Sequence, residues 1–404
     1  MHNRLMQEQL WHPDELGPEF IFLQQELPAD EHGPRQATLI HHLPKLNTEN
    51  LNNFVAKRIH TPQAESTHKS VNNSSQNNAL GQHQTSGQRE TSGKNNIQDP
   101  NNLSEKLPKF ALLAVHGWND YFYQAEFARF ITELGGSFYA LDLSRYGRSH
   151  REDELLGFTT DLGSYDADFR FGLDTIREIH GSDIPIVLYG HSTGGLSTTL
   201  WASENSSEIS GLILNSPWFG IPHGLVYDFL FYPLVRLAAK VSPTTVIPME
   251  DLGLYYRTGQ GNHLNTPGAK LEEDPQQDPF YTTGWNPNPE FRRNPSFPVR
   301  TGWLSAIWQG QEQLRSGLNV TVPVLTLTSD KHFTSREWDD QLLEADSVLD
   351  VEKIWDLARL VGPDVEIHRI HNGVHDLVLS RASARKNVYS VIETWLKEKQ
   401  LLNK

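Results

Sequence analysis

The fold of this chain is decided by one short stretch, Leu188-Tyr189-Gly190-His191-Ser192-Thr193-Gly194-Gly195. The residues before it, 184–188, are apolar and β-branched, which predicts a buried strand, and residues 195–202 have helical spacing. A Gly-x-Ser-x-Gly pattern between a strand and a helix is typical of a nucleophile elbow, in which a serine lies on a tight, strained turn. The stretch therefore predicts an α/β protein with Ser192 as a candidate nucleophile. The alternative is a glycine-rich turn without a chemical role.

The composition excludes several classes of partner and of chemistry. The chain has 404 residues, a formal net charge of -15 and no cysteine. Without a basic stripe, nucleic acid and anionic membrane surfaces are poor partners. The lack of cysteine removes disulfides, thiolate nucleophiles and cysteine metal sites, and it mildly favours a cytoplasmic protein. No apolar signal segment is found at the start, and residues 224–241, the most lipid-like stretch, carry too many charges for a membrane span.

Two regions in the first quarter of the chain differ sharply in composition. Residues 20–23 and 37–40 predict two short strands joined by a turn, so residues 1–46 are expected to form an N-terminal hairpin of the core. Residues 47–107 are dominated by polar tracts with few apolar side chains. Such a segment buries too little surface to offset its ordering entropy, and we expect a mostly disordered polar insertion.

The remainder of the chain predicts a sheet in two halves with a cap between them. Apolar strands alternate with helical patterns over residues 108–216 and again over residues 321–404, which indicates an open, mostly parallel sheet flanked by helices. Residues 217–320 break this alternation, because they are aromatic and Pro-rich without a clear period. This is the pattern expected of an inserted cap over a pocket.

A serine hydroxyl is a weak nucleophile at neutral pH, so it needs a base and an acid that orients the base. His375 is the candidate base, because it follows the predicted strand 365–370 and has Gly373 beside it. The acid is expected between Ser192 and His375, where the loop after strand 322–327 offers Asp330 and Asp346. Either aspartate would also suit a turn or a helix cap, so the residues alone leave the choice open.

The oxyanion of an acyl-transfer reaction needs backbone N–H donors. One donor is expected from Thr193, the residue after the nucleophile. The other is expected from Trp118, in the loop after the predicted strand 110–115. His116, at the end of that strand, is expected to support the loop without reacting.

Four motifs together resemble the α/β-hydrolase fold: 116–118, 142–149, 190–195 and 373–376. The resemblance covers about 108–216 and 321–404 and is closest to the branch of monoacylglycerol lipases, lysophospholipases and serine aminopeptidases. In that branch the acid loop often has an aspartate, any residue and two hydrophobic residues. The sequence Asp346-Ser347-Val348-Leu349 resembles this pattern, whereas Asp330-Lys331-His332-Phe333 does not. The resemblance therefore implies Asp346 as the acid, although the polar insertion and a lengthened acid loop depart from the family.

The leading interpretation is a serine hydrolase that cleaves carboxylic esters through an acyl-enzyme, with a small-molecule ester as its partner and no cofactor. A peptidase or amidase with the same three residues is the second interpretation, because the leaving group cannot be deduced from the sequence. A catalytically silent binding protein of the same fold is the third, and the intact set of serine, histidine and carboxylate argues against it. No metal or nucleotide motif is found in the sequence.

Overall fold

The structure, a computed structural model, describes residues 11–44, 108–220, 231–266, 271–272 and 275–402. Within these residues nine strands form one sheet of order β1-β2-β3-β5-β4-β6-β7-β8-β9. The strands are β1 (His12–Asp14), β2 (Gly17–Asp30), β3 (Gly33–His42), β4 (Ala111–Val115), β5 (Ser137–Asp142), β6 (Ile186–His191), β7 (Gly211–Asn215), β8 (Val324–Ser329) and β9 (Val365–Ile370). The α-helices are α1 (Ala125–Glu133), α2 (Asp166–His180), α3 (Thr193–Glu204), α4 (Tyr232–Val241), α5 (Leu254–Thr258), α6 (Thr301–Arg315), α7 (Val351–Ala358) and α8 (Ala382–Glu398).

The sheet is parallel from β5 to β9 and antiparallel at its N-terminal edge. β2 and β3 form the predicted hairpin, and β3 pairs antiparallel with β5. The central strands β4, β5 and β6 are fully buried, because helices cover both faces of the sheet. One core cluster includes side chains of α1 and α8, and the other includes side chains of α2, α3 and α6. The expected α/β-hydrolase architecture, a mostly parallel sheet flanked by helices, is confirmed.

The cap lies between β7 and β8, as predicted, and its described part contains α4, α5 and α6. α4 packs on α6, where the rings of Tyr232 and Trp308 have centroids 4.8 Å apart. α6 also packs on α3, so this helix joins the cap to the core. Three aromatic or apolar residues expected in the cap, Leu225, Tyr227 and Phe229, lie outside the described residues.

The predicted polar insertion, residues 47–107, lies outside the described residues, and the domain boundaries stay predictions. Among the residues that are described, no helix is both long and apolar enough to cross a membrane. The cytoplasmic location likewise stays a prediction.

Candidate active site

The candidate residues come from loops at the carboxyl ends of neighbouring parallel strands, the edge at which open α/β sheets bind their ligands. Ser192 follows β6 and has φ 53° and ψ -117°, so its backbone lies in the positive-φ region that residues with a side chain rarely adopt. Its N–H donates to the carbonyl of Asn215 at 3.1 Å, and its own carbonyl accepts from the N–H of Trp218 at 2.9 Å. Hydrogen bonds to two neighbouring residues thus fix the strained turn.

Ser192, His375 and Asp346 form a continuous chain of hydrogen bonds. His375 Nε2 lies 3.0 Å from Ser192 Oγ, and His375 Nδ1 lies 2.8 Å from Asp346 Oδ2. Because a carboxylate only accepts, Nδ1 carries the proton and Nε2 is left to accept from the serine hydroxyl. All three side chains are buried, with His375 1% and Ser192 8% exposed. The arrangement is able to remove a proton from Ser192 and to stabilise the imidazolium that results.

The loop after β8 holds Asp346 and Asp330 in different environments. Asp346 Oδ1 accepts from the N–H groups of Val348 and Leu349, both at 2.8 Å, which leaves Oδ2 for His375. Asp330 instead binds the Nδ1 of His371 at 2.7 Å, and the His371 side chain is 77% exposed. Asp346 is therefore the aspartate that the structure brings to His375, and Asp330 is not brought there.

The two candidate oxyanion donors are the N–H groups of Trp118 and Thr193. The loop after β4, which carries Trp118, packs tightly against the turn that carries Ser192 and Thr193. A Cβ on Gly117 would lie 3.0 Å from Ser192 Cβ, and a Cβ on Gly194 would lie 2.2 Å from the His116 carbonyl. Within the described residues, neither the N–H of Trp118 nor that of Thr193 donates to another protein group. Both N–H groups are therefore available to an oxyanion.

His116 holds the loop that carries Trp118. Its Nε2 accepts from the N–H of Leu143 at 3.1 Å, so Nδ1 carries the proton that is donated to the Gly117 carbonyl at 2.8 Å. Burial lowers the pKa of this imidazole, which favours the neutral form that both bonds require. The contacts match the supporting role that the sequence predicts.

Sequence analysis did not identify Asn215, which lies at the centre of the site. This fully buried residue ends β7, and its carbonyl also lies 3.2 Å from His191 Nδ1. Its side-chain Nδ2 donates to Tyr189 Oη and to Asp376 Oδ1, both at 2.7 Å, and its Oδ1 accepts from the N–H of Leu377. Asn215 thus ties the serine turn to the loop of His375. The sequence signal that could have pointed to Asn215 is its position at the end of a strand.

Ionisable side chains outside the Ser192–His375–Asp346 chain are buried in the same region. Burial lowers the pKa of His191 to about 4, and burial raises the pKa of Asp120 to about 8 against the opposing attraction of Arg292. The His191 ring centroid lies 5.0 Å from that of His375. The environment behind the candidate base is therefore polar and buried.

Aromatic side chains cover the site from the cap side. The ring of Tyr255 in α5 meets the ring of His375 edge-on at 5.3 Å, and the ring of Trp303 in α6 lies 3.8 Å from that of Trp118. Two small cavities adjoin the site, with volumes of about 20 and about 10 Å³. The smaller cavity borders Gly117 and Thr193, and no carboxylate is found among its described lining residues.

Comparisons with known proteins agree with the fold described above. The sequence profile of the family described as "Serine aminopeptidase, S33" matches residues 106–381, about two thirds of the chain. A thermostable carboxyl esterase from Bacillus coagulans, solved in complex with glycerol, has a TM-score of 0.51 and 12% identity, with 93% of this chain and 98% of that chain covered. A soluble variant of monoglyceride lipase from Saccharomyces cerevisiae, solved with a substrate analog, has a TM-score of 0.49 and 17% identity, with 73% and 88% covered. No curated protein sequence matches the chain significantly. At such identities the esterase comparison bears on the fold alone.

Proposed function

The chain belongs to the serine aminopeptidase S33 family of the α/β-hydrolase superfamily, and on that premise we propose that it is a serine hydrolase that cleaves carboxylic esters. The observation that carries the proposal is the buried chain of hydrogen bonds from Ser192 through His375 to Asp346, with distances of 3.0 and 2.8 Å. This arrangement suits acyl transfer, because it couples a hydroxyl to a base whose orientation is fixed.

In the first half of the proposed reaction, Ser192 Oγ attacks the ester carbonyl while His375 Nε2 takes the hydroxyl proton. Asp346 holds the imidazole and stabilises its charge, and the N–H groups of Trp118 and Thr193 bind the oxyanion. Collapse of the tetrahedral intermediate breaks the bond to the alcohol, which leaves with the proton from His375. In the second half, water attacks the acyl-enzyme with His375 as the base, and the acid product and free Ser192 are released.

The side chains around the oxyanion loop support an apolar acyl group. The ring of Trp118 contacts the rings of Trp303 and Phe297, with centroids 3.8 and 5.5 Å away. Ser192 is 8% exposed beside this loop, so an acyl chain bound to it would lie against these aromatic rings.

The description of the family itself favours a second function, an aminopeptidase that uses the same three residues. Such an enzyme must bind the free α-ammonium group of its substrate, which calls for a carboxylate facing the bound molecule. The smaller cavity beside Thr193 has no carboxylate among its described lining residues, and for this reason we place the ester hydrolase first.

A substrate series separates the two functions. We expect kcat/KM for p-nitrophenyl esters to rise from acetate toward medium chain lengths, by at most about fourfold per methylene. Aminoacyl p-nitroanilides should be cleaved far more slowly, and Ser192→Ala should remove the activity on both. A preference for anilides with a free amino group over every ester would make the peptidase the correct function.

A further inference from the structure

Behind the candidate base, three buried side chains that the proposed reaction does not use come together. They are Asp120 in the loop after β4, His191 at the end of β6 and Asp376 in the loop after β9. One nitrogen or oxygen of each lies within 4.8 Å of the others, and the three residues are 1%, 3% and 3% exposed. The parallel sheet thus brings three ligand-type side chains to one point, although no motif in the sequence indicates a metal site.

The imidazole of His191 is held in one tautomer with a free, buried nitrogen. Its Nδ1 lies 3.2 Å from the carbonyl of Asn215, which only accepts, so Nδ1 carries the proton. Nε2 keeps its lone pair, is buried, and has no hydrogen-bond partner among the described residues. An imidazole that donates one N–H to a backbone carbonyl and keeps the other nitrogen free is the usual arrangement of a metal-ligating histidine.

The oxygens of Asp376 and Asp120 also keep lone pairs that a further ligand could use. Asp376 Oδ1 accepts from Asn215 Nδ2 at 2.7 Å and Oδ2 accepts from Gln124 Nε2 at 3.1 Å, which leaves lone pairs on both oxygens. Asp120 Oδ1 is buried without a hydrogen bond, and Arg292 Nε, at 4.0 Å, is its nearest cationic atom. Together with His191 Nε2, the two aspartates therefore place three groups with free lone pairs at one buried point.

We propose that Asp120, His191 and Asp376 form a binding site for a divalent transition-metal ion of the zinc type. His191 Nε2 and one oxygen of each aspartate supply three ligands. The adjoining cavity, which has a volume of about 20 Å³ and borders His191 and Asp376, has room for a water as the fourth. Binding draws the three atoms together, because metal–ligand bonds of about 2.0–2.2 Å place tetrahedral ligands roughly 3.5 Å apart.

The ligand set selects against the common hard cations. Ca²⁺ takes six to eight oxygen ligands and Mg²⁺ prefers an octahedral oxygen shell, whereas one imidazole and two carboxylates suit zinc. Gln124 is the partly exposed member of the described cavity lining and lies between the cavity and solvent. The proposal is independent of the hydrolase reaction, because its test measures bound metal.

The test uses the full chain, stripped with a chelator and then dialysed against buffered free Zn²⁺, with bound zinc counted by mass spectrometry. Compared with the unmodified protein, His191→Gln and Asp376→Asn should each lose one equivalent of Zn²⁺ per chain. Gln124→Met, which removes the amide that donates to Asp376 and accepts from the N–H of Tyr123, should weaken this equivalent about 10–100-fold. His371→Gln is the matched control, because it removes the exposed histidine of the pair with Asp330, and it should lose none of this equivalent.

Thermal unfolding provides a second readout that does not depend on the folding of a variant. Zn²⁺ bound inside the folded core must stabilise it, so Zn²⁺ should raise the unfolding midpoint of the unmodified chain and of His371→Gln alike. No rise at saturating Zn²⁺ would overturn the proposal. Equal binding of Zn²⁺ by His191→Gln, Asp376→Asn and the unmodified chain would also overturn it, since the cavity would then hold water only.

Discussion

At the scale of single residues, the orientation of His375 depends on which aspartate of the lengthened acid loop reaches it. Asp346 is fully buried and its Oδ2 lies 2.8 Å from His375 Nδ1. The oxygens of Asp330 accept instead from His371 and from the N–H of Asn372. Two aspartates 16 positions apart are therefore expected to have very different effects on the same reaction.

We expect Asp346→Asn to lower kcat for a short-chain aryl ester by about 10⁴, because an amide at this position favours the wrong tautomer of His375. Asp330→Asn should leave kcat within about threefold, since a surface pair contributes little. Both values come from steady-state assays, with unfolding midpoints measured to show that the variants are folded. A larger loss in Asp330→Asn than in Asp346→Asn would assign the acid to Asp330.

The sequence indicates single candidate residues of the site more readily than it indicates which other residues contact them. Ser192 and His375 are predicted because each has a local signature: a glycine-flanked turn after a strand, and a histidine after the final strand. The choice of Asp346 required a family pattern, since a loop sequence does not specify how the loop folds back. Asn215 and the cluster of Asp120, His191 and Asp376 were missed, because their contacts join residues far apart in the chain.

At the scale of elements, short apolar strands were predictable, and the evenly buried helix α6 was not. The predicted bounds of β9, residues 365–370, agree with those in the structure. α6 was not predicted, because 11 of its 15 residues are buried and the helix therefore lacks a clear polar face. Its Gly302 and Gly310, which weaken the helical pattern, lie against Pro243 and Leu200, so close packing explains them.

One buried arginine joins three elements near the site. Arg148, after β5, donates from Nε and Nη2 to both oxygens of Asp14 in β1, at 2.6 and 2.8 Å. Its Nη1 donates to Asp142 at the end of β5 and to the carbonyl of Phe122, at 2.9 and 3.0 Å. Asp142 in turn accepts from the N–H of Phe122. The arginine therefore connects the first strand to the two loops that follow β4 and β5.

We expect Arg148→Met to lower the free energy of unfolding by about 3–5 kcal/mol, because it leaves two buried carboxylates without their cation. Arg170→Gln is the control: its guanidinium is 45% exposed and its pairs lie at the surface, so about 0–1 kcal/mol is expected. Urea denaturation measures both values. Equal losses in the two variants would show that the buried network does not stabilise the fold.

At the scale of the whole molecule, the sheet is continuous on both sides of the proposed insertion. β3 precedes residues 47–107 and β4 follows them, and both strands pair directly with β5. β3, β5 and β4 are therefore adjacent strands of the sheet. The composition of the segment and the topology of the sheet both indicate that the core forms without it.

We expect deletion of residues 47–102, with a short linker in their place, to leave the unfolding midpoint and the esterase activity nearly unchanged. A shorter loop lowers the entropic cost of closure, and the segment has few apolar residues to bury. Calorimetry and an aryl ester assay measure the outcome, and limited proteolysis of the full chain should cut within this segment first. A large drop in the midpoint or the activity would show that the segment packs on the core.

The central claim is that Ser192, activated by His375, attacks the substrate carbonyl and carries the acyl group. The most direct measurement is labelling of the purified full chain by a fluorophosphonate, followed by mass spectrometric mapping of the modified residue. The account predicts one adduct per chain, located on Ser192, absent in Ser192→Ala and formed several orders of magnitude more slowly in His375→Ala. A folded protein that gives no adduct, or an adduct on another residue, would contradict the account.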